Sequence, residues 1–191
     1  MPKVKEITPV AEDKIKKLVG ELGSVTIEQG QLLLPDVDPD KYMFYVKYLY
    51  RNYYIDIVDN MVMVPVNKKS ADYDVVDCLW VAVDNRDSFA LDTLFKAEAP
   101  ASFFYQIMND GCDVQMFVRV KKNNVAVVQA MQERYHARQL DDGGGFRYVF
   151  VVDDMNMLDV LSRYNIAMPN TVAVMDSSGI IKPENIKYFQ G

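Results

Sequence analysis

Cysteine is nearly absent: the 191 residues contain two, Cys78 and Cys112. Each stands alone in an apolar stretch, without metal-ligand spacing or a secreted disulfide pattern, so a reducing cytoplasm is the expected compartment and both thiols are expected to be inert core groups. Histidine is scarcer still. His136 is the single one, and no Ser or Cys nucleophile motif accompanies it, so solvation or dipole complementation at a helix end is its expected role rather than a catalytic triad. A cationic excess is missing too: 21 Lys and Arg face 27 Asp and Glu, for a formal net charge of −6. That balance excludes a cationic coat over the whole surface, of the kind that binds nucleic acid or anionic membrane indiscriminately. No apolar run approaches the roughly 18 residues of a membrane span, and the opening MPKVKEITPVAEDK lacks a signal-peptide core, so no membrane association is expected.

What is present is ordinary globular composition, half hydrophobic and a quarter charged, enough for one ample core or two small ones. The charge is unevenly spread. Residues 1–69 hold ten Lys and Arg against ten Asp and Glu, whereas residues 70–191 hold eleven against seventeen. The polar stretch from Pro65 to Asp72 joins segments of different pattern, so two domains are expected, 1–69 and 70–191.

In the first part, Ala11, Ile15, Leu18, Val19 and Leu22 recur at helical spacing and Gly23 is a natural residue just past a helix end. Thr26-Ile27-Glu28-Gln29 has the form of a capping box opening a short helix to about Leu34. Asp38-Pro39 sets a cap and a first-turn proline ahead of a third helix that the pattern predicts to run to about Tyr53. Its inward side is predicted to carry Tyr42, Val46, Leu49 and Tyr53, flanked by Met43 and Tyr50. Lys41, Phe44, Lys47, Tyr48 and Arg51 fall opposite. Residues 55–58 and 61–64 then read as strands joined by Asp59-Asn60, a pair that tolerates the positive φ of a tight hairpin.

Helix, short helix, longer helix and hairpin is the order of a winged helix-turn-helix, whose third helix would enter the major groove of double-stranded DNA. Three cations and two aromatics on the outward face suit phosphates, sugars and base edges. The same face also suits plain solvation, or docking of a protein or a second copy of the chain. The hairpin carries Asp56 and Asp59 and no cation, a deficit that Lys68 and Lys69 would partly compensate.

The second part reads αβββαβαβ. A helix is predicted from Asp72 to about Asn85, with a buried strand as the alternative. A short strand is expected near 91–95, and strands 102–108 and 112–120 flank the turn signal Asn109-Asp110-Gly111. A helix capped by Asn123-Asn124 and ending near Arg138, a doubly buried strand 146–152, a helix from Asp153-Asp154 and a strand 171–175 complete it. This order is shared by restriction-endonuclease-like cores, which need Asp/Glu-x-Lys on a meander strand to hold a metal and place the nucleophile. The chain's only such triplet, Glu12-Asp13-Lys14, lies in the first domain. In the meander, Asp113-Val114-Gln115 lacks the cation, so a nuclease-like core would be degenerate. Asp153 and Asp154 suit a helix cap better than a Mg²⁺ site. Asp141-Asp142-Gly143-Gly144-Gly145 has glycines but no Gly-Lys-Ser/Thr, and is expected to be a turn. No catalytic residue, metal or cofactor is expected.

The stretches Val75 to Asp84, Ala99 to Phe104, Tyr148 to Asp153, Val174 to Asp176 and Lys187 to Phe189, together with the first domain, resemble a family of winged-helix proteins from bacterial conjugative elements. More distantly they resemble the replication-relaxation proteins of plasmids. The resemblance implies residence on a mobile element and a part in DNA transfer or its control. It implies no reaction and supplies no catalytic residue.

Overall fold

A computed structural model of the chain describes residues 9–65, 72–107, 114–142, 146–166, 171–175 and 185–190, with the backbone alone at Pro9, 135–142, Phe146 and Gln190. The fold is α+β, with six α-helices and two sheets among the described residues. None of these helices is long and apolar enough to cross a membrane. The chain divides into two units, Met1–Asp72 and Tyr73–Gly191.

In the first unit, α1 (Pro9–Leu22) stops at Gly23, whose φ of 79° is open to glycine without strain and whose N–H bonds the Val19 carbonyl. The capping box forms in full: Gln29 N–H donates to Thr26 Oγ1 and Thr26 N–H to Gln29 Oε1, each at 3.0 Å, opening α2 (Ile27–Leu33). Just before it, Ser24–Thr26 makes a three-residue strand, β1, that the periodicity did not predict. Helix α3 (Pro39–Arg51) starts under the Asp38 carboxylate, which accepts from the N–H groups of Asp40 and Lys41. It is followed by β2 (Asp56–Val58) and β3 (Met61–Met63), joined by Asp59 and Asn60 at φ 46° and 64°, both of the left-handed sign a two-residue hairpin turn demands. The sheet is antiparallel in the order β1-β3-β2. Helix α3 packs on α1, with Ile15, Leu18, Tyr42, Val46 and Leu49 buried. Gly30 is required by the close approach of Tyr42: a Cβ there would lie 1.9 Å from the Tyr42 hydroxyl.

The second unit begins with α4 (Tyr73–Asp84), a helix and not the alternative strand; Val75 to Val83 are buried apart from Asp77, so this helix is covered all round. The strand predicted near 91–95 is a correction. Arg86–Ser88 and Leu91–Thr93 form 3₁₀ turns, and only Phe95–Lys96 is extended, as β4. Then come β5 (Phe103–Gln106), β6 (Val114–Arg119), α5 (Val125–Asp142), β7 (Phe146–Val152), α6 (Asn156–Arg163), β8 (Thr171–Met175) and β9 (Ile186–Gln190). The sheet runs β4 to β9 in sequence order. β4-β5-β6 form an antiparallel meander, β6-β7-β8 are parallel through α5 and α6, and β9 closes the edge antiparallel to β8. Alternation along β7 sorts the core. Tyr148, Phe150 and Val152 pack with Val128 and Met131 of α5 and with Met157 and Leu161 of α6, while α4 lies against β6 and β7.

Two further expectations fail. The helix predicted to end near Arg138 continues to Asp142, so Asp141 and Asp142 are helical rather than a turn. Asn124 does not cap α5 with its side chain; its amide reaches back to Lys121 N–H and the Arg119 carbonyl. The turn Asn109-Asp110-Gly111, Cys112 and Asp113 lie outside the described residues.

Candidate nucleic-acid interface

Helix α3 owes its position to its apolar face: Tyr42, Tyr45, Val46 and Leu49 are buried. With that face fixed, the 100° step carries Lys41, Phe44, Lys47 and Arg51 to solvent and leaves Tyr48 half-buried. From Lys41 to Arg51 the helix rises about 15 Å, and with side chains its width of about 10–12 Å matches a major groove. Lys41, Lys47 and Arg51 form no ion pair among the described residues. The Phe44 ring, 36 % exposed, stands edge-on to buried Tyr45, centroids 5.8 Å apart, which holds an apolar plane among the cations.

Two details of this helix depart from the pattern. Tyr45 is buried although the periodicity did not assign it to the inward stripe, because the stripe is wide enough to take in its neighbour at 60°. Tyr53, expected inward, is 88 % exposed with φ 62°. The helix ends at Arg51, so the helical wheel no longer governs where residue 53 points. Near the start of α3, Lys14 and Asp36 pair at 2.6 Å beside Lys41, and the lysine's hydrogen bond holds the Asp36 carboxyl below its usual range. In the β2–β3 hairpin, Asp59 is exposed and Asp56 half-exposed. Lys68 and Lys69 lie outside the described residues.

In the second unit a charged cluster forms that no motif announced. Arg119, at the end of β6, is only 3 % exposed. Its Nε donates to Asp77 Oδ2 of α4 at 2.9 Å, its Nη1 to the Val151 carbonyl at 2.9 Å, and its Nη2 to the Asp153 carboxylate. Beside it, Lys121 pairs with Asp74. The available signal was a lone arginine in the apolar run Val114 to Val120 and a lone aspartate in the apolar helix Val75 to Val83. Nothing in the sequence said that the two meet.

The paired carboxylates weighed as a cap or a Mg²⁺ site divide their work. Asp153 neutralises Arg119, while Asp154 accepts from the N–H of Asn156 at the start of α6. Asp153 is therefore a correction to its capping role. Both line a cleft of roughly 280 Å³ at the carboxyl ends of β7 and β8, with Asn156 and Lys187. Among the described residues, no three His, Cys, Asp or Glu gather as a metal site. Cys78 is buried, and burial pushes its thiol up to about 12, so it is an inert core group at neutral pH. His136 belongs to α5. No protein-family model, curated protein or solved structure matches this chain.

Proposed function

We propose that this chain is a DNA-binding accessory or regulatory protein, without a catalytic step of its own, whose first unit is a winged helix-turn-helix. The observation that carries this reading is the outward face of α3, where Lys41, Phe44, Lys47, Tyr48 and Arg51 cover one side of a helix whose other side is buried. The element order α1-β1-α2-α3-β2-β3 with the sheet order β1-β3-β2 supports it, since this arrangement presents the third helix for a groove. The hairpin is short and anionic, so the reading relies on α3, with Lys68 and Lys69 as further phosphate contacts. For the second unit, the meander followed by two parallel crossovers supports a degenerate nuclease-like core that serves as a partner or dimerisation module. The resemblance to proteins of conjugative elements adds DNA transfer or its control as the process.

Salt-titrated binding of the full chain to duplex DNA tests the reading. Affinity should fall with salt at a log-log slope of about −3 from the cations of α3, steepening to about −4.5 where Lys68 and Lys69 also meet phosphates. Lys47→Glu with Arg51→Glu should abolish binding at low salt; tight binding untouched by this pair overturns the assignment. The exposed Phe44 ring favours one second reading, in which α3 docks a protein or a second copy. Absence of DNA binding at low salt, with a stable dimer lost on Phe44→Ala and Tyr48→Ala, would favour that reading.

A further inference from the structure

Among the described residues, three helices end on a residue in the left-handed region, and the three residues differ. After α1 it is Gly23, at φ 79°; after α6 it is Asn165, at φ 53°; after α3 it is Tyr53, at φ 62°. The last two close with the same pair of bonds. Ile166 N–H reaches the Leu161 carbonyl and Asn165 N–H that of Ser162; Tyr54 N–H reaches Leu49 and Tyr53 N–H reaches Tyr50. Glycine and asparagine suit this position, because one has no Cβ and the other stabilises the conformation through its short amide. A bulky aromatic there is strained.

The fold takes nothing from the Tyr53 ring in exchange. The residue is 88 % exposed, and its side chain makes no hydrogen bond or ring contact among the described residues. Strain kept without a packing return marks a side chain displayed for a ligand. Its surroundings name the chemistry. Tyr50 and Tyr54 are about half exposed, Arg51 is exposed two residues before it, and Lys16, paired with Glu12 at 2.5 Å, lies with its Nζ 4.1 Å from the Tyr54 ring centroid. Flat π faces beside an exposed guanidinium, unpaired among the described residues, match unpaired nucleobases joined by phosphates, because bases stack on the rings while Arg51 meets the backbone. Paired bases inside a duplex are already stacked and offer no face.

We infer that the turn Arg51 to Tyr54 is a stacking site for an unpaired DNA base where a duplex passes into single strand, with Tyr53 as the stacking ring. The inference rests on the reading that α3 binds duplex DNA, whose end it continues. It assigns the substrate as a duplex with a single-stranded extension rather than an uninterrupted duplex.

The test compares the full chain on a blunt duplex and on the same duplex with a single-stranded DNA extension, by fluorescence anisotropy at fixed salt. The extension should tighten binding about tenfold, as one stacked base does. Tyr53→Gly should abolish that preference while leaving blunt-duplex affinity within about twofold, and Tyr53→Phe should retain it. Because Tyr53→Gly also relieves the backbone, it should raise Tm by about 2–4 °C, so lost preference is separated from lost folding. Equal affinity for the two DNAs overturns the stacking site and leaves the α3 reading standing. A preference that survives Tyr53→Gly, or a Tm that falls, also overturns it. Absence of binding to either DNA overturns the α3 reading and the inference with it.

Discussion

Two groups of cations, one in each unit, are used in opposite ways. In the first, Lys41, Lys47 and Arg51 stand in solvent on one helix face. In the second, Arg119 is buried and shared between Asp77 and Asp153, and Lys121 is paired with Asp74. A buried guanidinium must be neutralised locally, because the interior does not solvate it. An exposed lysine gains little from a partner and stays available to an external anion. Net charge therefore misleads for this chain: what bears on a polyanion is where the unneutralised cations stand, and α3 gathers three of the described ones on one helix face.

The largest effect should come from breaking the buried side of this contrast. Arg119→Met leaves Asp77 without its partner and should destabilise the second unit by about 3–5 kcal/mol in urea, read by the fluorescence of buried Trp80. Adding Asp77→Leu should recover much of that loss; no recovery would mean that Arg119 matters through packing. On the exposed side, Lys47→Glu with Arg51→Glu should abolish duplex binding at low salt, a loss of about 100-fold or more. The same pair should leave urea stability within about 0.5 kcal/mol.

Gly30→Ala sharpens the contrast within the first unit, because it disturbs the seat of α3 without touching its outward face. The new methyl would meet the Tyr42 hydroxyl at 1.9 Å and Cζ at 2.7 Å, costing about 1–3 kcal/mol in circular-dichroism melts. Tyr42→Phe alone should stay within about 1 kcal/mol, since that buried hydroxyl has no hydrogen-bond partner among the described residues. In the Gly30→Ala background it should recover part of the loss.

The last effect appears only in alkali. Burial raises Cys78 and Tyr105 each to about 12. A group whose folded value is raised contributes stability in full below its unfolded value and loses it as pH climbs to the folded one. The thiol's share therefore disappears between about pH 9 and 12, at no more than about 1.4 kcal/mol per pH unit. Cys78→Ala should flatten that slope in urea titrations followed by Trp80, and an unchanged slope would assign it to other groups.

Elements that depend on neighbours a few residues away were legible in the sequence. The Thr26–Gln29 capping box, the stop at Gly23, the Asp38-Pro39 start and the Asp59-Asn60 turn are each a local bond or a local φ requirement, and each formed. Strand 146–152, with its unbroken apolar run, and strand 171–175 were also visible. Elements that exist only because a distant segment completes them were not. The three residues of β1 are a strand only because β3 pairs with them, and the mixed pattern of β9 is a strand only against β8. The candidate interface was half legible. Helical periodicity assigned Lys41, Phe44, Lys47, Tyr48 and Arg51 to one side, but the conformation of Tyr53 followed from where α3 ends.

By itself the sequence determined the α+β class, the outward composition of α3 and the charge asymmetry, because helix and strand periods and capping chemistry act over a few residues. Only the tertiary structure decided that Arg119 meets Asp77 and Asp153, 42 and 34 residues away, and that Tyr53 holds a left-handed backbone with its ring in solvent. Those outcomes depend on which surfaces are already covered when distant segments meet, and burial, unlike periodicity, is a property of the whole fold.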